Sequence, residues 1–119
     1  MGYESKLYIV EKYSSFSGEK RKFARDIACF DLAKAGLEDI VKTYPITDCY
    51  IYADDGNTPI LEDKYGDPLR EIPVADMIRI LTDMIKENGY YRRYISCIAL
   101  LSSFLADEWK DVVVLHYGH

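Results

Sequence analysis

The chain has 119 residues, of which 49% are hydrophobic and 29% charged, and a formal net charge of −5. That length supports one hydrophobic core but not separate cofactor and catalytic domains, and the composition excludes a disordered chain. No apolar run approaches the roughly 20 residues that span a bilayer, and the first residues lack the regions of a signal peptide, so a single cytoplasmic domain with no membrane segment is expected.

The stretch Lys6 to Tyr13 is short and rich in β-formers, which predicts a strand. Residues 14 to 21 read as an exposed turn. A second strand over Lys22 to Phe30 then places Phe23, Ile27 and Cys29 on one side at period two, with Arg25 as the awkward member of that side. From Ala35 to Tyr44, Leu37, Ile40, Val41 and Tyr44 follow helical spacing, and Pro45 stops the helix.

Asp48 to Ala53 is again β-rich and runs into a turn around Asp55-Gly56, where glycine tolerates positive φ. The return strand, Thr58 to Glu62, must begin at Pro59 or lie on an edge, because proline has no N–H to donate. After a second turn at Tyr65 to Pro68 there is room for a brief extended piece at Leu69 to Ile72. Pro73 can open a helix whose stripe is Val74, Met77, Ile78, Leu81 and Ile85, closed near Gly89.

A second helix starts near Tyr91. Its run from Ile95 to Leu105 looks apolar all round, which predicts cover from more than one direction and a place at the centre of the fold. Val112 to Tyr117 reads as a strand inside the sheet, and His119 is expected to be frayed. The order ββαββααβ predicts an α+β domain with a mainly antiparallel sheet of four to five strands and two or three helices on one face.

The cysteines Cys29, Cys49 and Cys97 are too far apart for a zinc site and are expected to be small buried hydrophobes. There is no glycine-rich phosphate loop, paired-histidine motif or nucleophile elbow. No catalytic residue, metal or cofactor is therefore assigned. His116 with a nearby carboxylate remains as the enzymatic or ligand-binding alternative.

Charge is the sharpest feature. Residues 1 to 53 and 77 to 119 are each electrically balanced, whereas residues 54 to 76 hold seven acids (Asp54, Asp55, Glu62, Asp63, Asp67, Glu71 and Asp76) against Lys64 and Arg70. Exposed and grouped, these acids would attract a cationic surface. Other readings are a solvated, aggregation-resistant edge and a hard-cation site at Asp54, Asp55 and Asn57, although that loop lacks EF-hand spacing.

Eleven tyrosines add contact chemistry. Tyr50, Tyr52 and Tyr65 join the acidic residues in the expected partner-binding face, and Tyr90, Tyr91, Arg92, Arg93 and Tyr94 form a secondary contact patch. The basic cluster Lys20, Arg21, Lys22 and Arg25 carries too little charge to hold a duplex, so no direct nucleic-acid partner is expected.

The stretches Met1 to Tyr8, Asp48 to Asn57 and Val113 to Gly118 together resemble small orphan proteins carried by phages and prophages of Gram-positive bacteria. The resemblance implies a host-directed role, with small acidic inhibitors of nucleases, including anti-CRISPR proteins, as the relevant kind. It transfers no catalytic residue. The expected partner is thus a host protein with a basic groove, such as a CRISPR effector nuclease, whose arginines accept carboxylates as readily as base edges. A homodimer or larger homo-oligomer joined by tyrosine-rich surfaces is the remaining expectation.

Overall fold

The computed structural model describes residues 4–12, 22–53, 55–89, 91–105 and 112–119. Six strands and three helices follow one another as β1 (Ser5–Lys12), β2 (Lys22–Asp31), α1 (Glu38–Val41), β3 (Cys49–Tyr52), β4 (Pro59–Ile60), β5 (Arg70–Pro73), α2 (Val74–Asn88), α3 (Arg92–Leu105) and β6 (Val112–Gly118). This is the expected single α+β unit, with the brief piece at 69–72 realised as a strand.

Strands β2, β1, β6 and β5 form a four-stranded antiparallel sheet. The β3–β4 hairpin joins it through a short parallel contact, Lys22 with Cys49 and Phe23 with Tyr50, giving the order β4-β3-β2-β1-β6-β5. The outer edge of β5 is also occupied. Pro45 accepts from the Glu71 N–H at 2.9 Å, the Thr47 N–H donates to Leu69 at 2.9 Å, and Ile46 bridges Arg70. The chain from Pro45 to Tyr50 therefore touches both edges of the four-stranded sheet and covers the exposed backbone of β5.

Both faces of that sheet are buried. On one side Leu7, Ile9, Val112 and Val114 meet Met77, Ile80 and Leu81 of α2 and Tyr94, Cys97 and Leu101 of α3, with Leu37 and Val41 beside them. On the other, Val10, Ala24 and Leu115 pack with Cys49, Ile51 and Leu69. Side chains alternate along a strand, so only a strand covered on both faces can be apolar throughout. That is why Val112 to Leu115 reads as an unbroken apolar run in an interior strand.

Several local expectations are corrected. The pairing of β1 and β2 shifts between Ile9 and Val10, which face Ala28 and Asp26, so Ile27 is the extra residue of a bulge and is 40% exposed. The bulge resets the alternation: Ala28 and Phe30 turn towards the helices, and Cys29 is exposed rather than buried. The expected helix over 35–44 shrinks to Glu38–Val41, because Ala33 (φ 53°) and Gly36 (φ 71°) hold the preceding loop in left-handed geometry.

The α3 helix is not the centre of the fold. Tyr94, Cys97 and Leu101 make one buried stripe, while Ser96, Ala99, Ser102, Ser103 and Leu105 are exposed. Serine and alanine at these positions make the outer face look apolar in sequence without requiring cover. The centre is the β1–β6 pair. Finally, His119 is not frayed, since its N–H donates to Glu4 at 2.9 Å and its carbonyl accepts from Glu4 at 2.8 Å.

Candidate functional site

The β3–β4 hairpin presents a two-sided ribbon. Ile51 and its partner Ile60 point into the core, and the alternation turns Tyr50, Tyr52, Pro59 and Leu61 outward. The Tyr50 and Tyr52 rings meet edge to face with centroids 5.5 Å apart. With Asn57, Pro59 and Leu61 they line an open groove of about 300 Å³. Tyr52 is 40% and Leu61 36% exposed, an apolar strip that water does not favour. From residue 48 to residue 63 the chain has no lysine or arginine.

The carboxylates around this strip divide by what they touch. Asp55, at the hairpin tip, accepts from the Asn57 and Thr58 N–H groups at 2.8 and 2.9 Å and from the Thr58 hydroxyl at 2.6 Å. The Thr58 hydroxyl first, then the two backbone donors, hold its pKa down at about 2. Asp63 likewise closes its own turn, accepting from the N–H groups of Tyr65 and Asp67. Glu62 and Asp67 are exposed, and Tyr65 is 53% exposed on the same turn.

Two of the seven acids are drawn elsewhere. Lys12 Nζ lies 2.7 Å from Glu71 and 3.4 Å from Asp48, and the Thr47 hydroxyl also donates to Glu71. Asp76, in the first turn of α2, accepts from the Tyr44 hydroxyl at 2.9 Å. Both acids tie elements together. Asp54 and Tyr90 lie outside the described residues, as do Lys20 and Arg21 of the basic turn.

Asp48, Cys49 and Glu71 form the cluster with metal-ligand geometry among the described residues. Lys12 already supplies the positive charge there. Burial first of all raises the Cys49 thiol to about 11, so a cation here would have to displace the thiol proton as well as Lys12. His116, the residue of the enzymatic alternative, has a partner that the sequence did not announce. His116 Nε2 lies 2.9 Å from the Ser5 hydroxyl, and both side chains are buried. His116 lines a cleft of about 30 Å³ with Lys42, Asp63, Asp67 and Arg70, room for a water molecule but not a substrate.

The second expected patch sits at the start of α3. Tyr91, Arg92 and Arg93 are exposed, Tyr94 is buried, and Arg93 donates to the Asp31 carbonyl at 3.0 Å. It lies with the helix layer, whereas the acidic ribbon covers the other face of the sheet. Among the described residues no helix is long and apolar enough to cross a membrane. Comparison with protein-family models, curated proteins and solved structures found no match.

Proposed function

We propose that this chain is a non-enzymatic binding module of the phage-encoded, host-directed kind, whose β3–β4 ribbon and following turn dock on the basic groove of a nucleic-acid-processing protein. The observation that carries this is the outward strip of half-buried Tyr50 and exposed Tyr52, Pro59 and Leu61 in a segment without a single basic residue. Stable interfaces combine an aromatic or apolar centre with a charged rim, and here the rim is mainly negative, with Asp55, Glu62 and Asp67 against Lys64. Asp55, Glu62 and Asp67 would take the positions of phosphates against arginines of the groove, and inhibition would follow from occupancy, as in an anti-CRISPR protein.

Affinity capture from a Gram-positive host lysate, eluted with a salt gradient, tests the reading. The expected result is a nuclease or other nucleic-acid-binding protein that is released by salt and by competing nucleic acid. It is no longer retained by a Tyr52→Ser, Leu61→Ser, Glu62→Gln variant of unchanged circular dichroism. Equal retention by wild type and variant would overturn the proposal.

A further inference from the structure

The acidic ribbon leaves the opposite charge unexplained. Among the described residues, Lys34 and Arg92 have no ion-pair partner, and Arg93 is engaged only with the Asp31 carbonyl. The first turn of α3 holds no acid at all. A helix N-terminus carries a partial positive charge and is normally balanced by carboxylates, so two arginines there intensify the field instead of neutralising it. Among the described residues, Arg92 and Arg93 thus place two positive charges at the positive end of a helix in a chain whose net charge is −5.

Two of these cations, Lys34 and Arg93, line a cleft. Between the 32–36 loop and the start of α3 lies a space of about 560 Å³, lined by Lys34, Arg93, Tyr91 and Tyr94 together with loop backbone and Leu32. Its charged lining residues are both basic. Tyr94 is only 8% exposed, yet its phenol has no hydrogen-bond partner among the described residues. The oxygen keeps contact with solvent, and Tyr94 is one of the residues that line the cleft. Its hydroxyl is therefore free to donate to a ligand in place of water. Tyr91, 52% exposed, leans against the Tyr94 ring with centroids 5.4 Å apart and leaves a face for stacking.

We infer that this cleft binds a nucleoside monophosphate or a ligand of the same chemistry, a planar ring carrying a phosphate. The ring stacks on Tyr91, the phosphate is held between Lys34 and Arg93 at the positive end of α3, and the Tyr94 hydroxyl donates to it. The volume lies within the range of small-molecule pockets. This site uses a different layer of the fold and the opposite charge from the docking ribbon, so it stands independently of that proposal.

Titration of the full chain with adenosine monophosphate, followed by amide chemical shifts, tests the inference, with adenosine, inorganic phosphate and a short 5′-phosphorylated single strand as separate arms. Saturable shifts at residues 32–36 and 91–94 are expected, with the monophosphate binding roughly tenfold or more tighter than adenosine or phosphate alone. Strand binding at the same residues identifies the terminal nucleotide as the source and also supports the site. Tyr94→Phe and Lys34→Gln, both with wild-type thermal unfolding, should each weaken binding several-fold. The absence of shifts at millimolar monophosphate, equal binding of inorganic phosphate, or affinity unchanged in both variants would overturn it.

Discussion

His116 and Ser5, at nearly opposite ends of the described chain, share a hydrogen bond of 2.9 Å inside the fold, where both side chains are buried. Burial, first of all, lowers the imidazole pKa from 6.5 to about 4; nearby Asp63 opposes the shift and His119 adds to it. The folded state therefore holds this histidine neutral while the unfolded chain protonates it below about pH 6.5.

Stability should then be fully present above pH 6.5 and fall as the pH drops through about 4, with His116 accounting for up to about 3 kcal/mol of the loss. Urea unfolding between pH 7.5 and 4, compared with His116→Gln, checks this. The variant should be less stable at neutral pH but show a shallower decline, and parallel pH profiles would refute the assignment.

Lys12→Met keeps the aliphatic stem but leaves Glu71 and Asp48 without their cation. Because Lys12 and Glu71 are each only about one-fifth exposed, a loss of about 1 to 2 kcal/mol is expected, above that of a surface pair. A double-mutant cycle with Glu71→Gln should recover a coupling of about 1 kcal/mol in denaturant titrations. Additive losses would mean that the pair does not tie β1 to β5.

At the hairpin tip, Gly56 has φ 74° with open space where a Cβ would stand. Gly56→Ala should therefore cost about 1 kcal/mol from backbone strain alone. Asp55→Ala removes the acceptor for three donors and should speed amide exchange at Asn57 and Thr58 while the strands β1 and β6 stay protected. Uniform acceleration would place Asp55 in global rather than local stability.

The one-sided burial of α3 predicts a contrast between two leucines. Leu101→Ala should cost about 3 kcal/mol because Leu101 is fully buried. Leu105→Ala, at a position 51% exposed, should stay within about 0.5 kcal/mol of wild type in thermal unfolding. Similar losses at both positions would restore the helix to the centre of the fold.

The fold class and most strand and helix positions were legible in the residues because they rest on local chemistry. Pro73 sits at the N-cap of α2, Gly89 with φ 102° closes it, and the Val112 to Leu115 run marks a strand covered on both sides. Each of these follows from dihedral limits or side-chain alternation within a few neighbours. The outward ribbon of Tyr50 and Tyr52 was legible for the same reason.

Tertiary structure alone decided the pairings that cross the chain. Nothing near Glu71 announces that Lys12 will neutralise it, nor does Asp76 announce Tyr44, so charge counted along the segment overstated what remains at its surface. The bulge at Ile27 depends on the register against β1, and the exposed side of α3 depends on which stripe the sheet accepts. The burial of His116 beside Ser5 needed β6 to lie against β1. A sequence determines local geometry through short-range sterics, whereas ion pairs, registers and buried dyads are set by which distant surfaces close together to remove apolar area from water.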